Sequence, residues 1–436
     1  MNKTQIMYDK AKKIIPGGTQ VLSKRPEMFL PGKWPAYYSR AKGCRVWDLD
    51  GNEYIDTSSM GVGANILGYA DEDVDKAVVN AISHGSMCTL NAPEEVQLAE
   101  LLLELHPWAE QVRYAKTGGE ALAVAIRIAR AATNKEVILF CGYHGWSDWY
   151  IAANLGDNKA LDGQHIAGLS TNGIPVGLKN TVIPFRYNDS ESFKELMTIY
   201  RGKIAAVIME PIRNYYPENN FLEQIRECTK KENVVLIIDE VSAGFRLNCG
   251  GAHIKFGIEP DMAVFAKAFS NGYPMAAIIG KKNVMESAQE TFISSTYWTE
   301  RTGLAAAIAT IEKYRKNHVE EHLEAIGKKV QEGWIMLAQK NGLDIKVSGI
   351  YPMSHFEFVY EDSLALKTLF TQEMLKRGYL ATNAFYTSFV HSDEDVKKYL
   401  DMADESFAII KEGLRRRNIS ELLEGDVCQS GFQRLT

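Results

Sequence analysis

Val234-Val-Leu-Ile-Ile-Asp239-Glu240 and Met262-Ala-Val-Phe-Ala-Lys267-Ala-Phe269, about one strand–helix–strand step apart, decide how this sequence is read. The first is an apolar run of strand length that stops at an acid. The second is an apolar run that contains a lysine. Continuous Val/Ile/Leu runs are the mark of parallel strands covered on both faces, whose carboxyl ends open on a crevice. Burying an ammonium is costly, and desolvation pushes a lysine toward its neutral, nucleophilic form. A neutral amine condenses with an aldehyde, and an acid at the neighbouring strand end can keep a pyridine nitrogen protonated. Each residue alone has an ordinary reading: a lysine that opens a helix and snorkels to water, an acid that caps a helix. Their joint placement favours the chemical one.

Around this pair, short apolar strands alternate with helices from about 110 to 280. Val137-Ile-Leu-Phe-Cys141, Ile204-Ala-Ala-Val-Ile-Met209 and Met275-Ala-Ala-Ile-Ile279 join the two runs above as predicted strands. The pattern predicts an α/β fold with a mostly parallel sheet covered by helices. Before it, Arg45-Val-Trp-Asp-Leu-Asp-Gly-Asn-Glu-Tyr-Ile-Asp56 reads as a hairpin turning at Asp50-Gly51. From Asp71 helical spacing dominates, as in Glu94 to Leu105. After it, a long helical stretch from Gly303 to about Gln339 leads to a strand at 353–359 and helices over 363–377 and 394–417. The expected division is 1–65, the N-terminal segment of a small domain; 66–310, the large domain; and 311–436, the C-terminal part of the small α+β domain.

With 436 residues, 46% hydrophobic and 24% charged, the chain has room for a large and a small domain and has no disordered composition. A formal charge of −6 argues against nucleic acid or an anionic membrane as partner. Six scattered cysteines form no CxxC pair and no His/Cys cluster, so no metal site is expected. The N-terminus lacks an apolar signal core and no run approaches a membrane span, so a soluble cytoplasmic protein is expected.

Other motifs converge on the same crevice. Thr117-Gly118-Gly119-Glu120 opens an amphipathic helix, where free backbone N–H groups and the helix dipole favour an anion such as a phosphate; a plain N-cap is the competing reading. Tyr143, after the strand ending at Cys141, could stack on a flat ring or be a core aromatic. His144 beside it is a satisfied loop histidine or a substrate contact. Glu210 ends another strand, either facing a ligand or capping a helix. Thr296 offers a hydroxyl before the Gly303 helix. The chain contains neither GxGxxG nor GxxxxGK[ST]. Together, amine, acid, stacking ring and phosphate turn are what pyridoxal 5′-phosphate (PLP) chemistry needs.

Read in order, these residues resemble the class III aminotransferases of PLP fold type I, most closely the glutamate-1-semialdehyde 2,1-aminomutase branch. The resemblance runs from Ile15-Pro-Gly-Gly18, through Trp47 to Asp56 and Ile66-Leu-Gly-Tyr69, to Val390-His391. It implies that Lys267 carries the cofactor, that Asp239 holds the pyridine nitrogen, and that Val241 packs under the ring with Tyr143 stacked on it. It implies Gly118 and Gly119 as the phosphate turn and Glu210 as a family glutamate near the cofactor. It also implies that Thr296 reaches the phosphate of a neighbouring subunit, hence a homodimer with shared active sites.

Departures gather on the substrate side. The aminomutase segment Phe-Glu-Ala-Gly-Phe is here Phe385-Tyr386-Thr-Ser-Phe389, so Tyr386 replaces a glutamate. Lys116 stands where an asparagine is common. Trp298-Thr-Glu300-Arg301 replaces a Gly-Asn-Pro type sequence. With Arg25 as a candidate for a substrate carboxylate and Tyr297, Trp298, Glu300 and Tyr386 around the pocket, the expected activity is transamination. It would run between small-molecule amine and carbonyl substrates, with glutamate as candidate donor and a hydroxylated or sugar-derived carbonyl as acceptor. An aminomutase, a racemase or epimerase on the same scaffold, and a non-catalytic protein of this fold are the alternatives.

Overall fold

The computed structural model describes residues 2–433, which form two compact units, 2–71 with 321–433, and Glu72–Glu320. The expected boundaries at 65 and 310 fall inside these units for physical reasons. Tyr69 exchanges backbone hydrogen bonds with Gly43, tying 66–71 to the first unit. The helix that spans 310 packs on two earlier helices of the second unit and so stays with it.

In the first unit, helix α1 (Lys3–Ile14) is followed by strands β1 (Tyr38–Lys42), β2 (Arg45–Asp48) and β3 (Glu53–Asp56). Asp48 accepts the backbone N–H groups of Asp50 and Asn52, closing the hairpin at Gly51, whose φ of 89° suits glycine.

The second unit is built on seven strands. They are β4 (Gln111–Ala115), β5 (Val137–Cys141), β6 (Val182–Pro184), β7 (Ile204–Met209), β8 (Val235–Asp239), β9 (Met262–Phe265) and β10 (Ala276–Gly280). Their order is β4-β10-β9-β8-β7-β5-β6, and β10 alone runs against its neighbours. Strands β4 and β6 escape the sequence reading because one is only half-buried and the other is a three-residue edge. Alternate side chains serve two cores. Ile138, Phe140, Ile208, Ile237 and Val264 face one layer, Val137, Leu139, Val207, Leu236 and Ile238 the other.

Of this unit's helices, α2 (Glu72–Ser83) and α3 (Glu94–Leu105) precede the sheet, and α4 (Gly118–Thr133) covers the first layer with Leu122, Ala125, Ile128 and Ala129. α5 (Ser190–Ile199) and α6 (Phe221–Lys231) cover the second layer with Phe193, Met197, Leu222 and Ile225. α7 (Arg301–Lys316) packs on α2 and α3. With both faces closed, polar side chains of this sheet emerge at the strand ends.

The single long helix expected from Gly303 is two, α7 and α8 (Val319–Asn341), because His318 adopts a left-handed φ of 48° that breaks the run. The rest of the first unit comprises β11 (Ile345–Ser348), β12 (Met353–Phe358), α9 (Ser363–Lys376), β13 (Tyr379–Leu380), β14 (Ala384–Tyr386) and α10 (Asp393–Arg416). β13 pairs with β3, so the hairpin sheet is completed by the far end of the chain. Among the described residues no helix is long and apolar enough to cross a membrane.

The first unit's core centres on Trp334, fully buried, edge-on to Phe356 at 4.9 Å and donating from Nε1 to Tyr399 at 3.1 Å. Trp334→Ala should cost about 3–5 kcal/mol of stability, read as a lower urea midpoint.

Candidate active site

Four of the parallel strands deliver their chemistry at the same, carboxyl, edge. β5 runs out into Tyr143-His144, β7 into Glu210, β8 ends on Asp239, and two residues beyond β9 stands Lys267. Lys267 opens a short 3₁₀ turn, Lys267–Ser270, with a φ of 55°. A left-handed lysine is strained, and such strain persists where surrounding structure imposes it.

The Lys267 amine donates to Ser242 Oγ at 2.9 Å. Burial, and after it the charge of Arg213, lowers its pKa from the usual 10.5 to about 8. Asp239, buried at the end of β8, accepts the Val241 N–H on Oδ1 at 2.9 Å and meets His144 Nδ1 with Oδ2 at 2.7 Å. Burial raises the Asp239 pKa, and the bond to His144 works against that rise. The other nitrogen of His144 faces the Cys141 carbonyl at 3.1 Å. With an oxygen on each ring nitrogen, the Asp239–His144 pair must keep a proton between them.

His144 is fully buried under Asp239, so it is a support for that carboxylate and not a substrate contact. Glu210 is likewise turned inward. It accepts the Tyr143 N–H at 3.2 Å and both it and its pKa are held by Arg213: burial pushes the carboxyl up, and the guanidinium more than reverses this.

The glycines of the predicted phosphate turn are the first residues of α4. Thr117 is its N-cap in a reciprocal box with Glu120, so the hydroxyl expected to meet an anion instead donates to the Glu120 carboxylate at 3.2 Å. Close approach explains Gly118: a Cβ there would lie 2.8 Å from Val241 Cγ1. Gly145 presses in similarly, where a Cβ would meet the Gly119 Cα at 3.1 Å. The helix N-terminus is thereby brought against Val241, the residue expected beneath a ring. Tyr143 packs edge-on to Tyr150 and lies near His165, with ring centroids at 5.8 and 5.9 Å.

Lys116 and Glu300, separate departures in the sequence, are partners here. Lys116 Nζ donates to the Glu300 carboxylate at 3.0 Å and to its carbonyl at 2.7 Å. Arg301 is held by Glu94. Thr296 opens an exposed turn, Thr296–Thr299, away from any bond to the Lys267 set.

Arg25 and Tyr386 belong to the first unit. Arg25 donates to the Gln433 carbonyl at 2.9 Å and lies over the Phe432 ring, so its head is engaged by the C-terminal segment and not presented as a carboxylate receptor. Tyr386 is a half-buried residue of β14 whose N–H donates to Ser58. Two residues the sequence reading passed over, Ser242 and Arg213, stand beside the amine. A cation three residues after the strand-end Glu210 was the available signal for Arg213.

Comparison with known proteins shows the family. The family described as Aminotransferase class-III matches residues 31–409. The chain is 32% identical over 426 residues to the 3-aminobutyryl-CoA aminotransferase of Cloacimonas acidaminovorans, covering 94% of this chain and 98% of that one. It is 33% identical over 434 residues to the glutamate-1-semialdehyde 2,1-aminomutase of Acetivibrio thermocellus, with the same coverage. A solved structure of the Sphingopyxis sp. MTA144 FumI protein, in its PLP internal aldimine form, superposes with a TM-score of 0.86 at 27% identity, over 95% of this chain and 97% of that one.

The cost of burying Lys267 is measurable. Its folded-state pKa lies below the unfolded value, so the unfolded chain binds the extra proton; the penalty is complete below about 8 and fades as pH rises toward 10.5. Ligand-free Lys267→Met chain should therefore be more stable than the native chain at pH 7, by roughly 3 kcal/mol. Urea unfolding should show the gap closing as the pH approaches 10.5.

Proposed function

The chain belongs to the class III aminotransferases, and from that premise we propose that it is a PLP-dependent aminotransferase moving an amino group from a donor, glutamate as first candidate, to a carbonyl acceptor. The observation that carries this is the Lys267 amine, poised near neutrality one strand away from the buried Asp239–His144 pair.

The residues fit the cofactor on the chain's own geometry. The Gly118–Val241 approach, where a Cβ would not fit, makes a shallow cradle between a helix N-terminus and an apolar floor. Amine, carboxylate and N-terminal N–H groups match an aldehyde, a pyridine nitrogen and a phosphate. Lys267 would hold the cofactor covalently, Asp239 its ring nitrogen, Gly118 and Gly119 its phosphate, with Val241 and Tyr143 on the ring faces. Once bound, PLP supplies an electron sink for the carbanion at the substrate carbon.

The rest of the work is done by side chains. Asp239, backed by His144, keeps a proton at the ring nitrogen. Lys267 Nζ would take the proton from the substrate carbon that bears the amine and return it to the cofactor carbon on the far side of that nitrogen; a pKa of about 8 suits both roles. Ser242 Oγ holds that amine in place meanwhile.

The acceptor we propose is a polar, hydroxylated carbonyl compound, such as a sugar derivative. Tyr386, in place of the aminomutase glutamate, supports it, as do Tyr297 and Glu300 in the segment after Thr296. An aminomutase is the second reading, favoured by the 33% identity to a glutamate-1-semialdehyde aminomutase and opposed by Tyr386.

The working form is a homodimer with shared sites. Leu90, Phe292 and Tyr297 are 79%, 86% and 65% exposed, and the Ser86 carbonyl is bonded to the Arg301 N–H, so two of the exposed segments adjoin. Large exposed apolar groups of this kind mark an interaction surface. Thr296 lies in the same exposed turn as Tyr297. Sedimentation should give twice the 48.8 kDa chain mass, and Thr296→Ala should weaken PLP retention about tenfold, as loss of one phosphate hydrogen bond would. A monomer that retains PLP would overturn the shared-site arrangement.

The central test is the absorption spectrum of the purified protein before and after L-glutamate, with no acceptor present. Loss of the yellow band with release of a keto acid is expected. Turnover of an amino aldehyde with no separate donor would favour the mutase. A Lys267→Ala protein with normal activity, or a native chain that takes up no PLP, would overturn the reading.

A further inference from the structure

Two arginines bracket Ser242. Arg246, itself buried, donates from Nε to the Ser242 carbonyl at 3.0 Å. Arg213 turns Nη2 onto the Ser242 hydroxyl oxygen at 3.1 Å, and the same oxygen receives the Lys267 amine at 2.9 Å. Arg213 is also locked to Glu210, with Nε 3.0 Å from each carboxylate oxygen and the same Nη2 donating to Oε1. Its Nη1 stands 3.3 Å from His165 Nε2.

This arrangement constrains protons. A hydroxyl has two lone pairs and one hydrogen, and a guanidinium is always charged. With Arg213 donating into one lone pair, an ammonium at Lys267 would place a second cation on the same oxygen. A neutral amine instead accepts the hydroxyl hydrogen on its own lone pair. The oxygen thus sets the distance between two nitrogens that repel when both are charged. The groups around Lys267 divide by sign: Arg213 and Arg246 disfavour the ammonium, Glu210 and Asp239 favour it. Asp239 is itself backed by His144, and Tyr143 stands near Glu210. Arg213 and Glu210 form one ion pair with opposite effects on the amine.

We propose that Arg213 is a positioning residue that acts on the Lys267 amine across the Ser242 hydroxyl, disfavouring the ammonium so that the neutral nucleophilic form is within reach, with Glu210 as the opposing charge that limits the effect. The role rests on the reading of Lys267 as the cofactor lysine. An ordinary structural ion pair would hold Arg213 in the same place, so the test turns on the sign of two substitutions.

Full-length protein stripped of cofactor would be acetylated with acetic anhydride from about pH 6 to 11, bracketing the free-lysine range, and the Lys267 peptide quantified by mass spectrometry. PLP uptake would be followed by absorbance over the same range. Arg213→Gln should raise the midpoint by about one pH unit or more and slow PLP uptake at pH 7 about tenfold per unit. Arg213→Lys, which keeps the charge, should restore most of it. Glu210→Gln should lower the midpoint. A structural pair predicts shifts of one sign or none, and either result overturns the proposal. Should Arg213→Gln not fold, Glu210→Gln decides alone: a raised or unchanged midpoint overturns it. Variants that take up PLP at unaltered midpoints remove only the role of Arg213. A native chain with a lowered midpoint that takes up no PLP removes the cofactor reading, and this role with it.

Discussion

Holding the Lys267 amine out of water is the constraint on which the second unit turns. An ammonium moved into the interior unaided is one of the costliest events in folding, and part of that cost appears here as a weakened hold of Lys267 on its proton. That requires apolar walls, which the two helix-covered faces of the sheet provide, and a nearby balance of charge, which Glu210, Arg213, Arg246 and Asp239 supply. It also requires a backbone held in a strained left-handed conformation at Lys267 itself. None of this improves the fold. Stability is given up at the site for a nucleophile ready near neutral pH, a trade that active sites commonly make.

The sheet explains why these groups can meet at all. Strands β5, β7, β8 and β9 run parallel, side by side, so their carboxyl ends lie along one edge. Residues far apart in sequence, from Tyr143 to Lys267, become neighbours by register alone. β4, parallel to these four across the antiparallel β10, brings Lys116 and the start of α4 to the same edge, while β10 itself runs the other way. Close packing then does the finer placement: glycines at 118 and 145 let the start of α4 and the loop after β5 approach one another to distances a side chain would forbid.

Several residues change meaning once their neighbours are visible. His144 looked like a possible substrate contact because histidines in loops often are; full burial beneath Asp239 makes it the carboxylate's proton partner. Thr117 carried the hydroxyl of a phosphate turn, but the Glu120 that follows three residues later claims it in a capping box, a signal present in the sequence. Lys116 and Glu300 each departed from the family pattern, and they do so together, as an ion pair. Arg25 is occupied by the C-terminal segment, a contact spanning the whole chain and therefore invisible to local reading.

The sequence by itself determined the fold class, five of the seven strands of the covered sheet and the cofactor chemistry. Apolar periodicity and a lysine or acid at the end of an apolar run are local properties, legible in a handful of consecutive residues. The family resemblance drew on the same kind of short ordered motif. What only the tertiary structure decided is which charges face one another: Arg213 with Glu210, Ser242 between Arg213 and Lys267, His144 under Asp239. Electrostatic effects fall with distance in space, not along the chain, so the state of the amine depends on charges that the sequence keeps up to about 57 residues away and the sheet gathers around it.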